Sequence, residues 1–220
     1  RELARPRIAE LFAADPTRHE RMSARLDLPE GGLLFDWSKT HLDAAHIAAF
    51  EDLARQTGFA QARETLLTGG LANPTEGRAA EHTAQRGTGA ADSVAMARHL
   101  HARMAALVEV IHKGALGEVR HLIHIGIGGS ALGPALAVGA LARDGAMVDV
   151  HVVSNIDGCA LEAAFDACAP ATTMVAVASK TFTTIETMTN AASALDWLEK
   201  AGVADPFGRV VALTAAPDAA

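Results

Sequence analysis

The sequence predicts an α/β protein, a parallel doubly wound αβα sandwich preceded by a mainly helical N-terminal region. Three observations predict it. From about residue 118 the pattern alternates between short apolar runs and amphipathic segments of helical length. The short runs, "VRHLIHIGI", "VDVHVVS", "TTMVAVAS" and "RVVALTAA", are apolar on both faces, as strands buried in a parallel sheet are. Glycine-rich or hydroxyl-rich turns follow the first and third runs and lead directly into helices. The predicted boundary places residues 1–114 in the helical region and 115–220 in the αβα subdomain.

Each element has a local cause. "DPTRHERMSARL" predicts a helix with Asp15 as N-cap and Pro16 at its first position. "LLFDW" (33–37) lies between Gly31-Gly32 and Ser38 and predicts a brief strand. "HLDAAHIAAFEDLARQTG" predicts a helix closed by Gly58, and the glycine-rich break "LLTGGLANPTEGR" follows. From Ser93 to His112, Leu100, Met104, Leu107, Val108 and Ile111 recur at helical spacing. In the αβα part, "SALGPALAVGALARD", "GCALEAAFDAC" and "TTIETMTNAASALDWLEKAG" predict the three helices between the four strands. The chain stops at Ala220, after a strand that would ordinarily run on through a crossover helix, and it starts without methionine. Both features imply a piece of a larger protein whose subdomain is incomplete.

Composition narrows the function. Half of the 220 residues are hydrophobic and a fifth are charged, which excludes a disordered chain. The longest uncharged stretch, Leu122 to Arg143, holds five glycines and a proline, so a membrane span is not expected. No charged-then-apolar leader opens the chain, and a net charge of −7 argues against a nucleic-acid partner. Lysine occurs only at 39, 113, 180 and 200. Cys159 and Cys168, nine apart on a predicted helix at about 100° per residue, point to opposite faces and cannot pair. A reducing cytoplasm fits them. No C-x-x-C or His/Cys spacing motif occurs, so no metal site is expected.

The chemistry gathers at three predicted strand ends, where ligands of open parallel sheets sit. "GIGGS" (126–130) allows backbone N–H groups to approach a ligand and is followed by the positive end of a helix. "SNIDG" (154–158) follows the second strand. "SKTFTT" (179–184) offers five hydroxyl or amine side chains in six residues just before a helix. Such a cluster can donate to a phosphate monoester, although Thr183 or Thr184 could equally serve as a helix cap. Gly126-Ile127-Gly128-Gly129-Ser130-Ala131 also fits the dinucleotide fingerprint, but the second strand ends in Ser154-Asn155 where that reading needs a ribose-binding acid. Two phosphate-friendly ends on one sheet suggest a sugar-phosphate site.

"IGIGGSALGP", "VSNIDG" and "SKTFTTIETMTNA" together resemble the successive signatures of the glucose-6-phosphate isomerase family. "NPTEGRAAEHTAQR" (73–86) is similar to its helical N-terminal motif and "FDWSK" (35–39) to its early strand. The resemblance runs in order from about residue 10 to Leu213. It implies two sugar-isomerase (SIS-type) αβα subdomains embraced by a helical N-terminus, of which this chain supplies that N-terminus and most of the first subdomain. It implies that Ser130, Ser179, Thr181 and Thr184 donate hydroxyl hydrogen bonds to the substrate phosphate, joined by the Lys180 backbone. Gly128 and Gly129 would lie against the sugar, and Glu186 reads either as orienting a catalytic group or as an exposed acid complementing the helix dipole.

The implied reaction is reversible aldose–ketose isomerisation of glucose 6-phosphate and fructose 6-phosphate, without cofactor. The family's catalytic glutamate, ring-opening histidine and lysine, and stabilising arginine fall beyond Ala220, so residues 1–220 alone are expected to be inactive. The resemblance further implies a homodimer in the full-length protein. Two departures stand out: Ala131 replaces the family's usual aspartate, and Ile185 its usual glutamine. Two other functions remain open at this stage. One is a non-catalytic SIS-type sugar-phosphate module, for which a basic helix-turn-helix is missing; the other is an NAD-dependent Rossmann enzyme, for which the ribose acid is missing. Among the histidines, His99, His101 and His112 read as solvated or boundary residues, His121 and His124 as packing within the first strand, and His82 as structural. Arg78 and Arg86 read as ties between the helical region and the sheet rather than as substrate contacts.

Overall fold

A computed structural model of the chain describes residues 5–29, 31–141 and 145–220. The chain forms two compact units, residues 1–100 and 101–220.

In the first unit, α1 (Ile8–Ala14) and α2 (Arg18–Arg21) precede a hairpin of β1 (Ser23–Leu28) and β2 (Gly31–Asp36). The hairpin corrects one expectation. "DPTRHERMSARL" is not one helix: Asp15 accepts the Thr17 N–H at 3.1 Å and its hydroxyl at 2.8 Å, closing a turn, and only four helical residues follow. Ser23–Leu28 instead pairs antiparallel with Gly31–Asp36, in register from Ser23↔Asp36 to Leu28↔Gly31. Pairing with the next strand of the hairpin overrides the modest helical preference of these residues. The expected strand at 33–37 is present, shifted toward the glycines.

Arg18 anchors this unit. Its side chain is buried, with Nε donating to the Ser38 carbonyl at 2.7 Å and a terminal nitrogen donating to the Thr40 carbonyl at 2.9 Å. Ser38 is fully buried and donates its N–H (2.9 Å) and hydroxyl (2.6 Å) to Asp36 Oδ1. The "FDWSK" segment is therefore a hydrogen-bonded corner that holds α2 to the end of β2. Next come α3 (Ala44–Gln56), capped by Asp43 accepting the His46 N–H, and α4 (Phe59–Leu67). Gly58, between them, takes a φ of +65°, the left-handed turn expected of a helix-ending glycine.

Helix α5 (Ala91–His112) carries the unit division between Leu100 and His101. Its predicted apolar positions are present, but Leu100, Met104 and Val108 are exposed, as are His99, His101 and His112.

The second unit is the predicted sandwich. Strands β3 (His121–Gly126), β4 (Asp149–Val153), β5 (Thr173–Ala178) and β6 (Val210–Leu213) form one parallel sheet in the order β4-β3-β5-β6. The connecting helices are α6 (Gly129–Leu141), α7 (Gly158–Ala167) and α8 (Ile185–Lys200). Period-two alternation sends Ile123, Ile125, Val153, Val175 and Val177 to one face, where they pack on Leu161 and Ala164 of α7 and Ala194 and Leu198 of α8. On the other face, His124 Nε2 donates to the Ser130 carbonyl of α6 at 2.7 Å. All six residues of β5 are buried, the mark of a central strand covered on both sides.

Strand order locates the site before any side chain is considered. The chain steps from β3 to β4 in one direction, then crosses back to β5 on the other side of β3 and continues to β6. The direction of winding reverses at β3, so a crevice opens beyond the carboxyl ends of β3 and β5.

Candidate functional site

Gly126, the last residue of β3, is the register partner of Ala178, the last residue of β5. The two turns singled out from the sequence, 127–130 and 179–184, therefore leave adjacent strands side by side at the switch point. Gly128, Gly129, Ser130, Ser179, Lys180, Thr181 and Thr184 all belong to these turns.

The first turn is tight for a visible reason. A Cβ on Gly126 would come within 2.9 Å of the Ser130 carbonyl oxygen and 3.0 Å of the Ser130 Cβ. Gly128 sits at φ +56°, a left-handed conformation that glycine adopts without penalty. Gly129 opens α6 with no atom within 4 Å of where its Cβ would stand. Gly128 and Gly129 are exposed and Ser130 is half-buried, so this wall presents bare backbone to solvent. The bond from His124 fixes the Ser130 carbonyl and holds the turn against the sheet.

The second turn is tied at its base. The Ser179 N–H donates to the Leu213 carbonyl at 3.0 Å, and the Lys180 carbonyl accepts from Ala215 N at 3.0 Å and from the Thr214 hydroxyl at 3.2 Å. Ser179 is buried, with its Oγ 3.2 Å from Thr184 Oγ1, while the Thr181 and Thr183 hydroxyls lie 2.7 Å apart. Phe182, at φ +57°, has a left-handed backbone that a bulky side chain disfavours by about 1–2 kcal/mol. Its ring packs against the α7–α8 core and its N–H donates to the Ser179 carbonyl, which offsets that strain, while the flanking Thr181 and Thr183 are exposed.

Helix α8 starts at Ile185, yet the Thr184 side chain makes no capping bond to its first turn. The Thr184 hydroxyl pairs with Ser179, and the Thr181 and Thr183 hydroxyls pair with each other, so Thr184 does not perform the side-chain capping role left open by the sequence. Four hydroxyls and the positive end of a sixteen-residue helix make an arrangement suited to a phosphate monoester.

Beyond β4, the Asp157 carboxylate accepts the Cys159 N–H at 2.9 Å and caps α7. That backbone bond, with a further one from the Cys159 side chain, holds the Asp157 carboxyl below the usual aspartate range. Asp157 is thus engaged by its own helix, and Asp149 lies at the opposite end of β4. Ser154 and Asn155 alone remain where a dinucleotide site needs an acid. Asn190 of α8, which the sequence reading passed over, is buried and donates its amide to the Asn155 carbonyl at 2.8 Å, fixing this loop to the same helix that borders the hydroxyl-rich turn. An asparagine at helical spacing with Thr187, Ala194 and Leu198, on the face of α8 that is buried, was the available signal. Glu186 is exposed in the first turn of α8. Of the two departures from the family motifs, Ala131 is buried in α6 and Ile185 is exposed.

Comparison with known proteins supplies the family. The family model for phosphoglucose isomerase matches residues 36–220. A glucose-6-phosphate isomerase of Novosphingobium aromaticivorans is 67% identical over 99% of this chain and 43% of its own length. One from Zymomonas mobilis is 51% identical over 96% of this chain and 41% of its own length. The crystal structure of a glucose-6-phosphate isomerase from Chlamydia trachomatis superposes with a TM-score of 0.77 at 24% identity, covering 96% of this chain and 42% of that one, and supports the fold. The chain thus spans less than half the length of the relatives it matches. With the family model covering both turns of the crevice and the sheet beneath them, the chain belongs to the phosphoglucose isomerase family.

Proposed function

We propose that this chain is the N-terminal part of a glucose-6-phosphate isomerase and forms the phosphate- and sugar-binding wall of its active site. The observation that carries the reading is the meeting of a bare-backbone glycine turn and a hydroxyl-rich turn on adjacent strand ends at the switch point. Ser179, Thr181 and Thr184, joined by Ser130 and the Lys180 backbone, donate to the phosphate oxygens of the sugar. Gly128 and Gly129 let the sugar carbons approach the backbone. The phosphate is remote from the reacting carbons, so its binding energy serves to position C1 and C2.

The reaction moves one proton from C2 to C1 through a cis-enediol, or the reverse, with no net oxidation. It needs a ring-opening acid, a carboxylate within hydrogen-bond reach of the migrating proton and a cation beside the enediolate. Family resemblance assigns these to segments beyond residue 220, so residues 1–220 bind without turnover. The full-length protein acts as a cytoplasmic homodimer.

Calorimetric titration tests this reading. Fructose 6-phosphate binds and fructose does not. Ser179→Ala and Thr184→Val each weaken binding about 10- to 100-fold, the equivalent of one hydrogen bond to a charged group at about 1.5–3 kcal/mol. Unchanged affinity in both variants, or isomerase turnover by residues 1–220, overturns it.

A further inference from the structure

The opposite end of the same sheet carries a second constellation. His121 is the first residue of β3, His151 the third of β4, and Cys168 the residue that ends α7. The register pairs His121 with Asp149 and Ile123 with His151, so the two histidines are diagonal neighbours on the face that α7 covers. Their rings lie 6.3 Å apart at 41°, and ligand-capable atoms of all three side chains lie within 4.8 Å of one another. The His121 Nδ1 is buried and has no hydrogen-bond partner. A buried ring nitrogen without a partner forfeits its hydration for nothing in return, and among the described residues it is the one ring nitrogen so placed.

We propose that His121, His151 and Cys168 form a three-ligand site for a transition-metal ion that prefers imidazole and thiolate, with Zn²⁺ its natural class of occupant. Imidazole and thiolate are both zinc donors, and zinc sites with three protein ligands keep water in the fourth position. Donors on one tetrahedral zinc stand about 3.3–3.6 Å apart, so the three must each close inward by less than about 1 Å, within reach of small side-chain rotations. Both histidines are half-buried, which leaves a path for the ion and its water. Without a cation, burial pushes the Cys168 thiol up, and the Asp149 charge adds to this, whereas the neighbouring Thr173 hydroxyl opposes it. Metal binding converts the thiol to thiolate and releases its proton to solvent.

The absence of a spacing motif hid this site from the sequence. Its ligands are 30 and 17 residues apart and come together only through strand register and the crossover of α7. Five strand steps, about 16 Å, separate His121 from the end of β3 at Gly126, so the ion ties β3, β4 and α7 together far from the sugar-phosphate crevice.

Titration with Co²⁺ reads the site directly. The expected result is one equivalent bound, with the visible bands of tetrahedral Co²⁺ and a thiolate-to-metal charge-transfer band, both abolished by added Zn²⁺. Cys168→Ser removes the charge-transfer band and weakens Co²⁺ at least about tenfold, since residues that only orient ligands already matter that much. Cys159→Ser, at the exposed cysteine, leaves both unchanged. Should Cys168→Ser not fold, zinc X-ray absorption of the unaltered protein decides, with one sulfur at about 2.3 Å and two nitrogens at about 2.0–2.1 Å expected. Failure to bind Co²⁺, a charge-transfer band that survives Cys168→Ser, or a zinc shell without sulfur overturns the proposal.

Discussion

Replacing Gly129 with alanine separates the fold from the function at a single methyl group. Gly129 opens α6 in an ordinary backbone conformation, and no atom stands within 4 Å of the position its Cβ would take. Alanine therefore meets nothing in the protein and gains up to about 0.5–1 kcal/mol over glycine in a helix, less at this first position. The space that the methyl fills is the space assigned to the sugar. Loss of that approach weakens fructose 6-phosphate binding by at least about tenfold, or about 1.4 kcal/mol. Gly126→Ala is the opposite case: its Cβ would meet the Ser130 carbonyl oxygen at 2.9 Å and the Ser130 Cβ at 3.0 Å. Overpacking of that kind costs about 1–3 kcal/mol and displaces the turn. Thermal melting and calorimetry on the two variants read both quantities. Gly129→Ala is expected to melt at or above the parent temperature while binding weakly, and Gly126→Ala to melt lower. A Gly129→Ala variant that binds fructose 6-phosphate as the parent does refutes the placement of the sugar.

Two further perturbations probe the parts that hold the site and its neighbouring unit. Arg18→Ala leaves the Ser38 and Thr40 carbonyls without their charged donor and lowers stability by about 3 kcal/mol in urea unfolding of the first unit. The Asp157 carboxyl is held below its ordinary range by the Cys159 N–H, so its contribution is complete at neutral pH, above the unfolded value near about 4. It is lost as pH falls through the lower folded value. Asp157→Asn keeps a capping side chain without the titration, so thermal melts of the variant fall off less steeply with acid than those of the parent.

Much of the αβα unit was legible because its causes are local. "TTMVAVAS" has β-branched and apolar residues on both faces and "GIGGS" cannot continue a strand, so strand, turn and helix follow one another as read. The turn 179–184 was legible as a cluster of hydroxyls. The left-handed conformation of Phe182 within that turn was not, because it is supported by packing against α7 and α8. The first unit was harder. Ser23–Leu28 has no strong strand signature of its own and becomes a strand by pairing with Gly31–Asp36. Arg18 looks like any surface arginine until Ser38 and Thr40, 20 and 22 residues away, fold over it. Asn190 and the His121–His151–Cys168 group share that character, since their partners come from other strands and loops.

The central claim is that the ends of β3 and β5 form one sugar-phosphate crevice. A crystal structure of this chain with fructose 6-phosphate tests it most directly. Phosphate oxygens at about 3 Å from the hydroxyls of Ser179, Thr181 and Thr184, with the sugar against Gly128 and Gly129, are the predicted result. A phosphate bound elsewhere on the molecule, with 179–184 unliganded at saturating fructose 6-phosphate, contradicts the account.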